Sequence, residues 1–167
     1  MMRTYVERAK YFIQQVDSFL SEGDLFSVEH EINAFNRFNH RSVRVRSGAT
    51  RIALLTSDYV IKFDRADACE YTVETFGNCE REYNFYQFAE RSGFGYLFAP
   101  VTKVKGYHRN YYIMPFVRGI GRGDEYIGAY LNDDEVEFVE DYLFDIHEYN
   151  YGFKNHKPCI IDYAACS

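Results

Sequence analysis

Asp145-Ile146-His147-Glu148-Tyr149-Asn150 and, beyond it, Ile160-Ile161-Asp162-Tyr163-Ala164 are the stretches on which the reading of the fold turns. The first leaves a helical pattern whose apolar stripe is Val136, Val139, Leu143 and Ile146, with Asn132 or Asp133 as N-cap. It places an acid and an amide five residues apart on the loop beyond that helix. The second is an apolar strand that ends in an acid. Magnesium takes hard oxygen ligands and dehydrates reluctantly, so one carboxylate and one amide oxygen beside substrate phosphates suffice to hold it. A second carboxylate nearby can orient an attacking hydroxyl.

Working back along the chain, Val43, Val45, Ile52, Leu54, Tyr59, Ile61 and Phe63 alternate with polar or small residues across two turns, Ser47-Gly48-Ala49-Thr50 and Ser57-Asp58. That is the pattern of a three-stranded antiparallel meander. Two more strands are expected at 99–105 and 111–116, joined by a turn at 106–110. In the third strand Lys62 shares a face with Val60 and Asp64. Residues 65–78 read as irregular, and a helix is expected from Cys79 to about Arg91, ended by Ser92-Gly93. Glu82 lies three, four and seven residues before Phe85, Tyr86 and Ala89, which sets a carboxylate on the apolar face of that helix. An ionised Glu there is costly unless a cation meets it. Lys62 is the candidate cation; Glu80, on another face, is the fallback acid.

In this order the residues resemble the protein-kinase-like superfamily, in an atypical form close to the aminoglycoside phosphotransferases. Asp145 and Asn150 match the spacing of the kinase catalytic loop, and Asp162 stands where the metal-binding aspartate of the next strand would stand. Tyr59-Val60-Ile61-Lys62-Phe63 resembles the strand that carries the phosphate-binding lysine. The turn at Gly48 and Thr50 occupies the place of the glycine-rich loop, with one glycine rather than three. Ile113-Met114-Pro115-Phe116-Val117 resembles the hinge that reads adenine, with Met114 as gatekeeper. The resemblance implies ATP and magnesium as ligands. It assigns Asn150 and Asp162 to the metal, Lys62, Gly48, Thr50, Met114 and Phe116 to the nucleotide, Glu82 to positioning Lys62, and Asp145 to the acceptor hydroxyl. Leu143 stands where a histidine precedes the catalytic aspartate, and Ala164 replaces a glycine.

The fold expected is α+β: a kinase-like N-lobe of five antiparallel strands plus one helix over 41–118, and a truncated C-lobe over 119–167. Ahead of both, over 1–40, comes a helical hairpin. The hairpin is read from Tyr5, Ala9, Phe12, Ile13, Val16, Phe19 and Leu20, and from Leu25, Val28, Ile32 and Phe35. Its stripe must be buried against the following domain or a partner. The C-lobe is expected to be short because the sequence reaches Ser167 directly after the metal-binding strand. The tail, 151–153 and 159–163, reads as a hairpin turning at 155–158.

The net charge of −6 argues against a dedicated nucleic-acid binder. The one basic run, Arg41 to Arg51, alternates with apolar residues as strand faces do. Four cysteines without CxxC pairing or zinc-like His spacing, and no apolar leader or membrane-length run, lead to the expectation of a reduced, cytoplasmic protein. With 16 Tyr, 15 Phe and no Trp, large rings can fill a small core. The function expected is an ATP-dependent phosphotransferase acting on a protein or a small hydroxyl acceptor. The alternative is a pseudokinase that docks a protein partner. Nucleotidyl transfer is a third reading.

Overall fold

Alternation from residue 43 onward produces strands, and 3.6-residue periodicity on either side produces the helices that cover them. The computed structural model describes residues 2–119, 129–143 and 150–164. The chain is α+β and forms two compact units, Met1–Cys79 with Val101–Phe116, and Glu80–Pro100 with Val117–Ser167.

The first unit is built on a five-stranded antiparallel sheet. Its strands are β1 (Arg44–Ser47), β2 (Arg51–Leu55), β3 (Tyr59–Asp64), β4 (Thr102–Lys105) and β5 (Asn110–Pro115), in the order β1-β2-β3-β5-β4. β4 starts later than the sequence suggests, because Ala99 belongs to the second unit and gives its N–H to Ile160 O at 2.8 Å. Helices α1 (Tyr5–Val16) and α2 (Leu25–Asn39) lay their stripes on one face of the sheet, so the hairpin's partner is the sheet itself. Ile52, Leu54, Ile61, Phe63 and Ile113 are wholly buried there. Each such side chain contributes about 1.5–3 kcal/mol, against about 1 kcal/mol net for a hydrogen bond, so the seat is held chiefly by apolar burial.

Thr4 and Glu7 form a capping box at the start of α1, and Asp24 caps α2 by accepting the Ser27 N–H. The end of α2 turns at His40, whose φ of 51° is left-handed, and Arg41 N–H returns to Asn36 O at 3.0 Å. At the other end of α1, Asp17 is buried. It accepts the Tyr111 hydroxyl at 2.6 Å and the Tyr107 N–H, which ties the helix to the β4–β5 hairpin. Gly106 is required by this packing: a Cβ there would lie 2.5 Å from the Tyr111 ring and 2.8 Å from Arg109 O. Burial pushes the Asp17 carboxyl up, but the hydrogen bonds from Tyr111, Tyr107 and His108 outweigh it and leave the group below its ordinary range.

A helix, α3 (Glu70–Phe76), occupies part of the stretch read from sequence as irregular. None of its residues is buried, so it carries no apolar stripe to betray it.

The second unit contains α4 (Cys79–Arg91) from Glu80 onward, a single 3₁₀ turn (Gly95–Leu97), α5 (Asp133–Tyr142) and the hairpin β6 (Tyr151–Lys154) and β7 (Lys157–Ile160). Gly93, at φ 85°, ends α4 as the sequence suggests, with Phe94 N–H returning to Ala89 O at 2.9 Å. Asn132 caps α5 in a box with Glu135. The tail turns at Asn155 and His156, with φ 52° and 63°, the signature of a two-residue type I′ turn. The turn is therefore tighter than expected, and Pro158 lies inside β7 opposite Phe153. Gly152 has no room for a side chain, since a Cβ would meet Arg118 O at 2.5 Å where residue 119 bridges to β6.

The core of this unit is aromatic. Phe138 stacks on Phe94 at 4.4 Å and on Phe88 at 5.9 Å, while Phe85 meets Phe98 edge-on at 5.2 Å. Such pairs add about 0.5–1.5 kcal/mol beyond the area they bury.

Candidate functional site

The helical spacing that aims Glu82 inward is realised: the residue is wholly buried. Its Oε1 accepts the Tyr163 N–H at 3.0 Å. Tyr163 is itself fixed, its hydroxyl donating to Ala99 O at 2.7 Å and its ring packing edge-on against Phe98 at 5.0 Å. The residue before it, Asp162, has φ 120°, a region that L-residues rarely occupy and that costs of order 1–3 kcal/mol. Asn150, also buried, clamps the same segment from the other side. Its Nδ2 donates to Asp162 O at 3.0 Å and its backbone carbonyl accepts Ile161 N–H at 2.7 Å.

Glu82, Asn150 and Asp162 are thus brought together within the second unit, around a strained aspartate that two buried partners hold in place. Tyr163, which the sequence reading passed over, joins them through its backbone. The nitrogen end of Asn150 is committed to a carbonyl. An amide oxygen and a carboxylate suit magnesium, which keeps waters and phosphate oxygens as its remaining ligands. Among the described residues no three His, Cys, Asp or Glu side chains cluster as a metal site. Buried Cys159 is held as a thiol, burial pushing it up to about 11, so it offers no thiolate. Asp145 lies outside the described residues.

The other expected residues belong to the first unit. Lys62 sits mid-strand in β3, paired with Ala53 on β2 and Tyr112 on β5. Opposed residues share a sheet face, so one row crosses all five strands: Arg46, Ala53, Lys62, Tyr112, Lys103. The same face carries Arg44, Arg51 and Lys105, with Asp64 as the acid among these strand residues. This is the face opposite the one that α1 and α2 cover. On a chain of net charge −6, the charged strand residues of this face are thus mostly cations.

Met114 is buried on this face beside Val60. Phe116 gives its N–H to Asp58 O at 3.0 Å, so that donor is committed within the sheet. At the β1–β2 turn Gly48 is exposed and a Cβ there would meet nothing within 4 Å, whereas Thr50 is buried. The turn therefore presents Gly48 and Ala49 to solvent rather than the Thr50 hydroxyl.

No family model matches the chain, and no curated protein matches it. Two solved structures are similar, both of WbdD. One, described as a co-crystal with a kinase inhibitor, is 14% identical at a TM-score of 0.47, covering 76% of this chain and 33% of the other. The second, described as the bifunctional kinase-methyltransferase WbdD, is 14% identical at a TM-score of 0.42, covering 71% and 30%. The chain thus spans about a third of the length of these structures. Among the described residues no helix is long and apolar enough to cross a membrane.

Proposed function

We propose that the chain binds magnesium–ATP in a kinase-like manner and transfers the γ-phosphoryl group to a hydroxyl. One observation carries the reading: Glu82 and Asn150, both buried and both singled out from sequence with Asp162, hold the strained Asp162-Tyr163 backbone by hydrogen bonds from either side. A strained residue held by two buried partners is costly, and such strain concentrates where a side chain must be aimed. The row of cations through Lys62, and its register with β5, which carries Met114 and leads to Phe116, supports the same reading.

In this mechanism Asn150 and Asp162 would hold the divalent ion, which would supply charge neutralisation to the phosphates. Lys62 pairs with the α- and β-phosphates, and Glu82 positions Lys62. Asp145 accepts the proton of the acceptor hydroxyl as its oxygen bonds to the γ-phosphorus. The bond from that phosphorus to the bridging oxygen breaks, and ADP departs with the electron pair. The reading requires that Lys62 and Asp162 reach one triphosphate.

The second reading is a binding protein of kinase-like fold that does not transfer phosphate. The burial of Thr50 and the commitment of the Phe116 N–H favour it, since both remove contacts that a nucleotide would use.

Thermal melting with ATP, with and without magnesium, tests the proposal. At a ligand concentration about 100-fold above Kd the stabilisation is about 2.7 kcal/mol, a rise of roughly 5–10 °C for a chain of this size. Asp162→Ala and Lys62→Met are expected to abolish the rise. Asp145→Asn is expected to keep it while losing transfer of labelled phosphate. A rise kept in Asp162→Ala contradicts the site; a rise in the native chain with no transfer to any acceptor supports the second reading.

A further inference from the structure

A second cationic feature lies on the opposite side of the sheet, under the helical hairpin. A cavity of about 540 Å³ opens between the start of α1, the link from α2 to β1, and the β2–β3 turn. Its lining includes Arg3, Arg8, Arg41, Tyr11, Asp58 and Tyr59. Tyr59 alternates with Lys62 along β3 and is buried on the hairpin side, so this cavity and the Lys62 face are separate.

Hydrogen bonds tie each of the three walls. Asn36 clamps the α2–β1 link, its Nδ2 donating to Val43 O at 2.8 Å and its Oδ1 accepting Val43 N–H at 3.1 Å. Thr56 locks the β2–β3 turn, its Oγ1 accepting Tyr59 N–H at 3.1 Å and donating to Tyr59 O at 3.0 Å. Arg8 fastens α1 to that turn, Nε donating to Asp58 Oδ2 at 2.7 Å. A cavity held this way loses little freedom when it is filled.

The charges do not balance. Three guanidiniums line the cavity against one carboxylate, Asp58, which leaves an excess of two positive charges. Arg8 is engaged by Asp58 and by Arg3 O. Arg3 lies over the Tyr11 ring at 5.5 Å. The other acid near Arg3, Glu7, is engaged by the Thr4 N–H at 2.7 Å. Arg41 has no carboxylate partner among the described residues. The Tyr59 phenol is raised by burial and then by Asp58, while Arg41 and Arg8 counter that rise. Two guanidiniums beside the exposed Tyr11 ring match a dianion carried on a flat body, because guanidinium forks fit phosphate and also stack on aromatic faces. A carboxylate would neutralise one charge of the two.

We propose that this cavity is a binding site for a small aromatic phosphate monoester, with Arg41 and Arg3 on the phosphate and the exposed Tyr11 ring against the flat body. A volume of this size is ordinary for a small-molecule site.

Phenyl phosphate, titrated without magnesium and followed by heteronuclear NMR and calorimetry, tests the proposal, with inorganic phosphate and phenol as comparators. Phenyl phosphate is expected to bind at least tenfold more tightly than inorganic phosphate and to shift the amide signals of Val43 and Ser57. Arg41→Gln is expected to weaken it at least tenfold, Arg41→Lys less, and Lys62→Met not at all. If Arg41→Gln lowers the melting temperature, Arg3→Gln supplies the same reading from the opposite wall. Equal affinity for phenyl phosphate and inorganic phosphate, or indifference to both arginine substitutions, overturns the proposal. Loss of binding in Lys62→Met would move it to the other face of the sheet.

Discussion

Asp17, the C-cap of α1, and Glu82, on the apolar face of α4, are both buried carboxylates, one in each unit, and they solve the same desolvation problem with different partners. Asp17 collects a phenol hydroxyl and a backbone N–H from one hairpin, Tyr111 and Tyr107, and so fastens a helix to a sheet edge. Glu82 receives the backbone N–H of Tyr163, next to an aspartate with φ 120°. The first arrangement ends in relaxed structure, the second in a strained residue. A buried acid is therefore not in itself a functional mark; what it holds in place decides its meaning.

The largest expected effect separates the two directly. Asp17→Ala strips partners from a buried hydroxyl and a backbone N–H, each worth about 1–3 kcal/mol. We expect a loss of about 3 kcal/mol, seen as a fall in Tm of roughly 6–12 °C, with the magnesium–ATP response of the remaining folded protein intact. The same site carries a pH signature. The folded Asp17 carboxyl titrates below its unfolded value, so its stabilisation is complete above the unfolded pKa near 4 and is lost as pH falls through the folded value. Urea melts between pH 5 and pH 2 should show a steeper decline for the native chain than for Asp17→Asn.

Glu82→Gln is the converse. The amide oxygen can still accept the Tyr163 N–H, so stability should change by no more than about 1 kcal/mol. If Glu82 positions Lys62, the rise in Tm with magnesium–ATP should disappear all the same. A variant that loses several kcal/mol and keeps the nucleotide response would make Glu82 a second Asp17.

These two acids also show what the sequence can and cannot disclose. Glu82 was legible because Phe85, Tyr86 and Ala89 mark its face. Asp17 is open to the same argument, lying four residues after Ile13 and three before Leu20, but no neighbouring motif in the sequence points to chemistry there. The alternation in β1 to β3 was legible, and so was the cap at Gly93, because each rests on local periodicity or backbone geometry. The helix Glu70–Phe76 was not, since it buries none of its residues. The tight turn at Asn155 and His156 was hidden by Pro158, which suggests a turn but pairs with Phe153. The row from Arg46 to Lys103 depends on strand order and register, which alternation within one strand does not determine. The backbone of Asp162 is set by Glu82 and Asn150, far apart in the chain, so no local pattern foretells it.

Asp162→Gly sharpens the comparison at smaller scale. Glycine accepts a φ of 120° without steric penalty but has more freedom to lose on folding, at a cost of roughly 0.5–1 kcal/mol. A net gain of about 1 kcal/mol in chemical denaturation is expected, together with complete loss of magnesium–ATP binding. Lower stability in this variant would mean that the strain is relieved by contacts of the Asp162 side chain.

Manganese in place of magnesium gives the most direct test, because its unpaired electrons broaden NMR signals only near the metal. With ATP and substoichiometric manganese, the side-chain amide of Asn150 and the backbone amides of Asp162 and Lys62 should broaden first, while those of Arg41 and Val43 stay sharp. Undiminished signals at Asn150 and Asp162, with broadening elsewhere or nowhere, would contradict the assignment of the metal to this pair.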